Sequence, residues 1–504
     1  MTERLSTRLP LIIQGGMGVA VSGYKLANTV ARLGQLGLVS GTALDRVMVR
    51  RLQGGDPGGD IRRALDHFPF RDMAERAYAK YYAEGGIEWG ATYLNPRMHD
   101  KDTPRELGEL CIISNFVEVW LAKEGHPNPV GINYLEKIQP PHLVSIYGAM
   151  LADVDYIVMG AGIPMRIPGA IDRFVNHETA TYPLTVAGAR EGDDTTMVMN
   201  PRDYMECDLE PLKRPMFLPI IASNVLAQTL IKKANGRVDG FIIEGPTAGG
   251  HNAPPRGKLQ LNERGEPIYG ERDVVDLAKM RELGLPFWLA GGYGQPEQLR
   301  YALSEGAAGI QVGTAFAYSA ESGMRDDYKQ EVLRKVKDGT VDVFTDPLAS
   351  PSGFPFKVVQ IQGSSSDPEY YASRPRICDL GYLREAYRTE DGKVDFRCAS
   401  EPVSVFLSKG GTIEDTVGRK CICNALMASM GHPQGRAGGK LIEAGIITSG
   451  DDLLKLRRFL PEEGTEYHAA DVIRILLSGL EETGFASMAQ AADQAAASVG
   501  VEAG

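Results

Sequence analysis

The sequence predicts an α/β protein built on a (β/α)8 TIM barrel, and three observations carry that expectation. Eight short runs rich in Val, Ile and Leu recur through the first two thirds of the 504 residues. Each closes on a small or polar residue and is followed by a helix-prone stretch. Apolar residues fill nearly every position of these runs instead of alternate ones, which marks strands covered on both faces, as parallel strands under helices are. Eight such units close naturally into a barrel.

The runs are LIIQGG (11–16), LGLVSG (36–41), PVGINY (129–134), DYIVMG (155–160), LPIIAS (218–223), GFIIEG (240–245), PFWLAGG (286–292) and AAGIQVGT (307–314). A ninth, YPLTVAG (182–188), leads straight into polar REGDDTT and reads as an excursion from the repeat. Aromatic, helix-prone sequence at 60–125 reads as a helical insertion after the second unit. Gly, Pro and Asn crowd 246–270, where a long loop would leave the sixth strand, and loops of that size in a compact domain are usually functional. The rhythm changes near 345. The expected division is therefore a barrel at 1–345, a cysteine-containing extension at 346–430 and a helical segment at 431–504, with a fraying tail from about 489.

Composition narrows the function. Apolar residues make up 43% and charged ones 24%, which excludes a disordered, collagen-like or coiled-coil chain. With 54 basic and 65 acidic residues the net charge is −11, and no basic run occurs, so neither nucleic acid nor an anionic membrane is an expected partner. MTERLSTRLP lacks the apolar core of a secretion signal, and no stretch approaches the ~20 apolar residues of a spanning helix. A cytoplasmic location is expected. Six cysteines are too few for a disulfide scaffold in a chain this long.

In a parallel barrel the chemistry lies at the carboxyl ends of the strands. The seventh run ends in Gly291-Gly292-Tyr293-Gly294 and a helix start follows; the eighth ends in Gln311-Val312-Gly313-Thr314. Glycine backbone N–H groups and a helix N-terminus together suit an anion, so this pair predicts a phosphate site. A dinucleotide fold is disfavoured, because no G-x-G-x-x-G follows a strand with an acidic residue ~20 positions on. The sixth run leads to Gly249-Gly250-His251, placing an imidazole at the barrel top, where an ordinary value near ~6.5 suits proton transfer. Met17, flanked by glycines after the first run, suits contact with a flat ring; Asn133 in the third could offer its amide to ring heteroatoms.

At these residues the chain resembles a known family. IIQGGMG, GINY, EGPTAGGHNAP, LAGGYG and GIQVGTAF are similar to the motifs of the flavin-dependent nitronate monooxygenases, a family that also includes flavin-type enoyl-acyl carrier protein reductases. The resemblance covers about residues 8–345. It implies FMN across the barrel mouth, with Gly291, Gly292, Gly313 and Thr314 at the phosphate and Gln311 nearby. It places Met17 and Asn133 beside the isoalloxazine, Ser223 and Gly250 as further neighbours, and His251 facing the reactive side of the ring.

The chain departs from the usual small members by continuing for roughly a third of its length, and SPSGFPFK, CDLGYLREAY and GRKCICNAL resemble the extended enoyl reductases of polyunsaturated fatty acid and polyketide synthases. Three functions follow as expectations. The leading one is oxidation of nitronates or nitroalkanes with dioxygen, His251 managing one proton. The second is NAD(P)H-dependent reduction of an enoyl thioester, for which an acyl carrier protein would need a local basic patch such as Arg374, Arg376, Arg384 and Arg388. The third is a non-catalytic flavin-carrying interaction module. A homo-oligomer is expected in each case. Cys378, Cys398, Cys421 and Cys423 offer four thiols, the last two beside Arg419 and Lys420, a setting that favours thiolate. Structural zinc, an iron–sulfur cluster and four reduced, buried thiols all remain open, since neither zinc-ribbon nor ferredoxin spacing is present.

Overall fold

A computed structural model describes residues 9–481, so the tail expected from about 489 lies outside the described residues. All eight runs become strands: β1 (Ile12–Gln14), β2 (Leu36–Ser40), β3 (Val130–Leu135), β4 (Tyr156–Gly160), β5 (Met216–Ile221), β6 (Phe241–Glu244), β7 (Phe287–Ala290) and β8 (Gly309–Val312). They close into a parallel barrel in which β1 pairs with both β2 and β8, Ile12 opposite Ile310 and Gln14 opposite Gly37.

The strands obey the two-sided burial that their composition implied. One set of side chains points inward, where Ile13, Leu38, Val158, Leu218, Ile242 and Trp288 fill the lumen. The alternate set packs outward under the helices. Trp288 is fully buried, and its indole N–H donates to the Pro10 carbonyl at 2.8 Å, which plugs the amino-terminal end of the barrel. Close packing also fixes Gly309, since a Cβ there would lie 2.0 Å from the Leu11 carbonyl oxygen.

Three segments depart from the simple repeat. YPLTVAG lies off the barrel: Ala180–Pro183 pairs with Thr196–Met199, and Val186–Ala187 adds to Glu385–Arg388 far downstream. Within 60–125, helices Asp60–Leu65 and Arg71–Tyr81 precede Arg105–Lys123. That last helix is buried along most of its length and packs against Tyr24–Arg32 and His142–Leu151, so it serves as the barrel helix between β2 and β3.

The chain beyond 345 folds across the barrel mouth. Phe356–Val359 pairs on one edge with Val343–Asp346 and on the other with Gly250–His251, tying the loop after β6 into a three-stranded sheet. Ala349, Phe356, Val358, Ile422, Ala425 and Ile446 form a small core shared between 346–430 and the segment that follows. Among the described residues, no helix is long and apolar enough to cross a membrane.

Candidate functional site

A single cavity lies over the carboxyl ends of the strands and encloses about 1490 Å³ of space between atoms, its open mouth included. It collects Met17, Asn133, Gly250, His251, Gly291, Gly292, Gln311, Gly313 and Thr314 from five separate strand ends. Ser223 is not among its lining residues. Its hydroxyl instead accepts from the Leu226 N–H at 3.1 Å and caps helix Asn224–Lys233, so the polar residue after β5 serves the helix and not the cavity.

One wall is built for a flat, hydrogen-bonding ring. Asn133 Oδ1 and Gln311 Oε1 are buried acceptors with no partner in the protein. A buried acceptor left unpaired costs ~1–3 kcal/mol, so a ligand N–H satisfying either is favoured. Gly16 makes room for the Asn133 amide, because a Cβ at Gly16 would lie 1.7 Å from Oδ1. The opposite end carries the anion features. Gly291 and Gly292 adopt φ of +82° and +78°, which turns their peptides as no L side chain readily allows. The N–H groups of Gly292, Gly294 and Thr314 meet no protein acceptor among the described residues. The donor set and the two unpaired acceptors fit FMN.

His251 sits on the short strand beside Phe356, ring centroids 4.7 Å apart. Its Nε2 lies 2.7 Å from Ser350 Oγ, and Ser350 is fully buried. Burial lowers the imidazole to about 4, so it is neutral at pH 7. The ordinary value expected from sequence is corrected accordingly: closing the extension over the loop removes the water that would solvate an imidazolium.

Glu244, the last residue of β6, lines the same cavity. Burial alone raises its carboxyl to about 7. The sequence reading treated it only as a strand terminus. Its position at the carboxyl end of an otherwise apolar strand was the available signal, since an acid there has no water-facing reason to exist.

The extension supplies further lining residues, six of them from the CDLGYLREAY and GRKCICNAL stretches. Leu380, Tyr382, Leu383, Ile422, Cys423 and Leu426 roof the cavity. Thr448, Ser449 and Asp452 close its anion end, pinned by the Val358–Thr448 bridge and by the Asp451 N–H on the Thr247 carbonyl at 3.0 Å.

The cysteines behave differently from the electropositive setting expected of them. Arg419 donates to the Leu348 and Ser350 carbonyls and Lys420 to that of Ser365. Burial pushes Cys421 up to about 11 and raises Cys378, Cys398 and Cys423. All four are thiols at neutral pH, and only Cys423 reaches the cavity. Among the described residues, the set of His, Cys, Asp and Glu atoms within 4.8 Å of one another is instead Asp45, His99 and Cys111. The buried Arg46 guanidinium already stands 3.9 Å from Asp45 there, and Tyr382 donates to the same carboxylate, so the cluster is a closed core network.

The arginines of the basic patch proposed for an acidic partner are all engaged by the chain's own acceptors, and Arg374 is buried. Arg374 pairs with Glu443, Arg376 binds the Ala399 and Thr416 carbonyls, Arg384 binds those of Gly381 and His99, and Arg388 pairs with Asp193 at 2.9 Å.

Comparison with known proteins finds a likeness over the second half of the barrel. Residues 209–349, which run from β5 through β8, match the model of the nitronate monooxygenase family. Two curated relatives show how far that likeness extends. A probable nitronate monooxygenase of Staphylococcus haemolyticus is 28% identical over 30% of this chain and 42% of its own. A (3aS,4S,5R,7aS)-5-hydroxy-7a-methyl-1-oxo-octahydro-1H-indene-4-carboxyl-CoA dehydrogenase of Mycobacterium tuberculosis is 31% identical over 24% of this chain and 31% of its own. The chain thus spans less than half the length of these relatives. Among solved structures, FabK from Thermotoga maritima aligns at a TM-score of 0.46 and 14% identity, over 95% of this chain and 96% of that one.

Proposed function

We propose that the protein is an FMN-dependent oxidoreductase of the nitronate monooxygenase type, oxidising nitronates or nitroalkanes with dioxygen. The observation that carries this reading is the opposition, across one cavity, of a ring-binding wall and glycine-lined anion end to an imidazole and a carboxyl. Met17, Asn133 and Gln311 would hold the isoalloxazine, and Gly291, Gly292, Gly313 and Thr314 the phosphate. When bound, FMN supplies a two-electron acceptor and, once reduced, a reductant for dioxygen.

The chain's own residues do the rest. His251, neutral and held through Nε2 by Ser350, offers its other ring nitrogen to the substrate and orients it. Glu244 exchanges its proton near neutral pH and is the group suited to take one from, or return one to, the reacting carbon. The extension's roof excludes bulk water.

A second reading draws on that roof. Leu380, Leu383, Ile422 and Leu426 form an apolar ceiling larger than a small nitronate requires, which favours an acyl chain and hence NAD(P)H-dependent reduction of an enoyl thioester. One experiment separates the two. Oxygen uptake with a nitronate, without nicotinamide, supports the first; anaerobic bleaching of the flavin by NADPH or NADH, followed by reoxidation with an enoyl thioester, supports the second. Protein that binds no FMN defeats both.

A further inference from the structure

A carboxyl group stands at the end of the cavity where the phosphate is expected. Asp452 belongs to the extension, is 8% exposed and lies in the first turn of the 3-10 helix Asp451–Phe459. It lines the same wall as Gly291, Gly292, Gly294, Gly313 and Thr314. A Cβ built on Gly294 would lie 3.1 Å from Asp452 Oδ2, so the carboxyl rests on the glycine rim. The Thr314 hydroxyl accepts the Gly450 N–H at 3.0 Å and donates to the Asp452 carboxyl.

The surroundings do not neutralise this carboxylate. Its neighbour Asp451 is engaged by Lys357 at 2.6 Å and still pushes the Asp452 carboxyl upward. Lys455, one turn on, exerts a weak opposing pull, while Tyr318 and Tyr467 beneath are phenols held neutral by burial. No Lys or Arg forms an ion pair with Asp452 among the described residues. Burial is the largest influence and raises the carboxyl above its ordinary range. A phosphate dianion brought to this rim would meet a second anion in a water-poor site, an arrangement in which one of the two must be discharged.

We propose that Asp452 joins the cofactor's phosphate as a neutral acid, donating its O–H to a phosphate oxygen, so that one proton is taken from solvent for each phosphate monoester bound. The extension thereby ties loading of the phosphorylated flavin to pH. The inference rests on the reading of the cavity as a flavin site. Riboflavin, which has no phosphate, needs no such proton.

Flavin-stripped full-length protein is titrated calorimetrically with FMN and with riboflavin in buffers of different ionisation enthalpy, between pH 6 and 8. The expected result is uptake of close to one proton with FMN and none with riboflavin, and an FMN affinity that falls by up to about tenfold per pH unit as pH rises. Asp452→Asn is expected to bind FMN with that uptake and pH dependence removed. Equal proton uptake for FMN in wild type and Asp452→Asn, or equal uptake for FMN and riboflavin in the wild type alone, overturns the proposal while leaving the flavin site standing. Failure of both flavins to bind overturns the site and the proposal together.

Discussion

The Nε2 atom of His251 lies 2.7 Å from the Ser350 hydroxyl, so the residue singled out at the barrel top is held by a residue of the extension, 99 positions away. This bond fixes the imidazole plane and decides which nitrogen is left for a ligand. Ser350→Ala should lower kcat by about tenfold with KM nearly unchanged, the worth of ~1–1.4 kcal/mol in positioning. Steady-state kinetics check this. A change confined to KM would mean that the bond serves binding instead.

The same imidazole makes stability depend on pH. Its folded value is lowered to about 4, whereas the unfolded chain protonates near ~6.5, so between these values the unfolded state holds more protons. Stability should therefore fall as pH drops through that window, with a slope approaching ~1.4 kcal/mol per unit from this residue. Denaturant titrations of wild type and His251→Asn isolate it: the difference between the two curves should shrink as the pH is lowered.

Glu244 carries the opposite sign. Its folded value is raised to about 7, so between about 4.5 and 7 the folded state holds more protons and stability is lost as pH rises. Glu244→Gln should be more stable than wild type at pH 8 by on the order of 2 kcal/mol, allowing for solvent at the cavity mouth. It should also erase an ionisation near pH 7 from the pH–rate profile. A profile unchanged by the substitution would exclude Glu244 from proton transfer.

The strands were legible because burial on both faces leaves a mark at every position of a short run; the site was legible only where it follows those runs directly. Met17, Asn133, Gly291 and Thr314 each lie within a few residues of a strand end. Leu380, Cys423 and Asp452 do not: they arrive from turns and short helices with no periodicity, brought to the cavity by tertiary pairing that sequence spacing cannot express. Ser223 shows the converse error, a strand-end hydroxyl whose competing use as a helix cap is equally local.

Gly16 tests the ring wall. Gly16→Ala should displace the Asn133 amide, since the added carbon would lie 1.7 Å from its oxygen, and should weaken flavin binding at least tenfold. Gly270→Ala is the control, with nothing within 4 Å of its added carbon. Flavin fluorescence titration distinguishes them, and equal affinities would remove Asn133 from the binding surface.

Arg374 is predicted to matter for folding and not for partner docking. Both it and Glu443 are buried, and Arg436 reaches the same carboxylate at 3.0 Å. Arg374→Met should cost about 3 kcal/mol, at the low end for breaking a buried pair because Arg436 remains. Chemical denaturation measures it. A loss below about 0.5 kcal/mol would mean that the residue behaves as a surface charge.

The pairing of Gly250–His251 with Phe356–Val359 sets an order of events in synthesis. A nascent chain that has just released its eighth wall strand owns the full cylinder, yet its imidazole has no strand to lie against. The seat of His251 is thus the last part of the cavity wall to be completed, and shortening the polypeptide to the size of a bare barrel would remove the strand that His251 lies against.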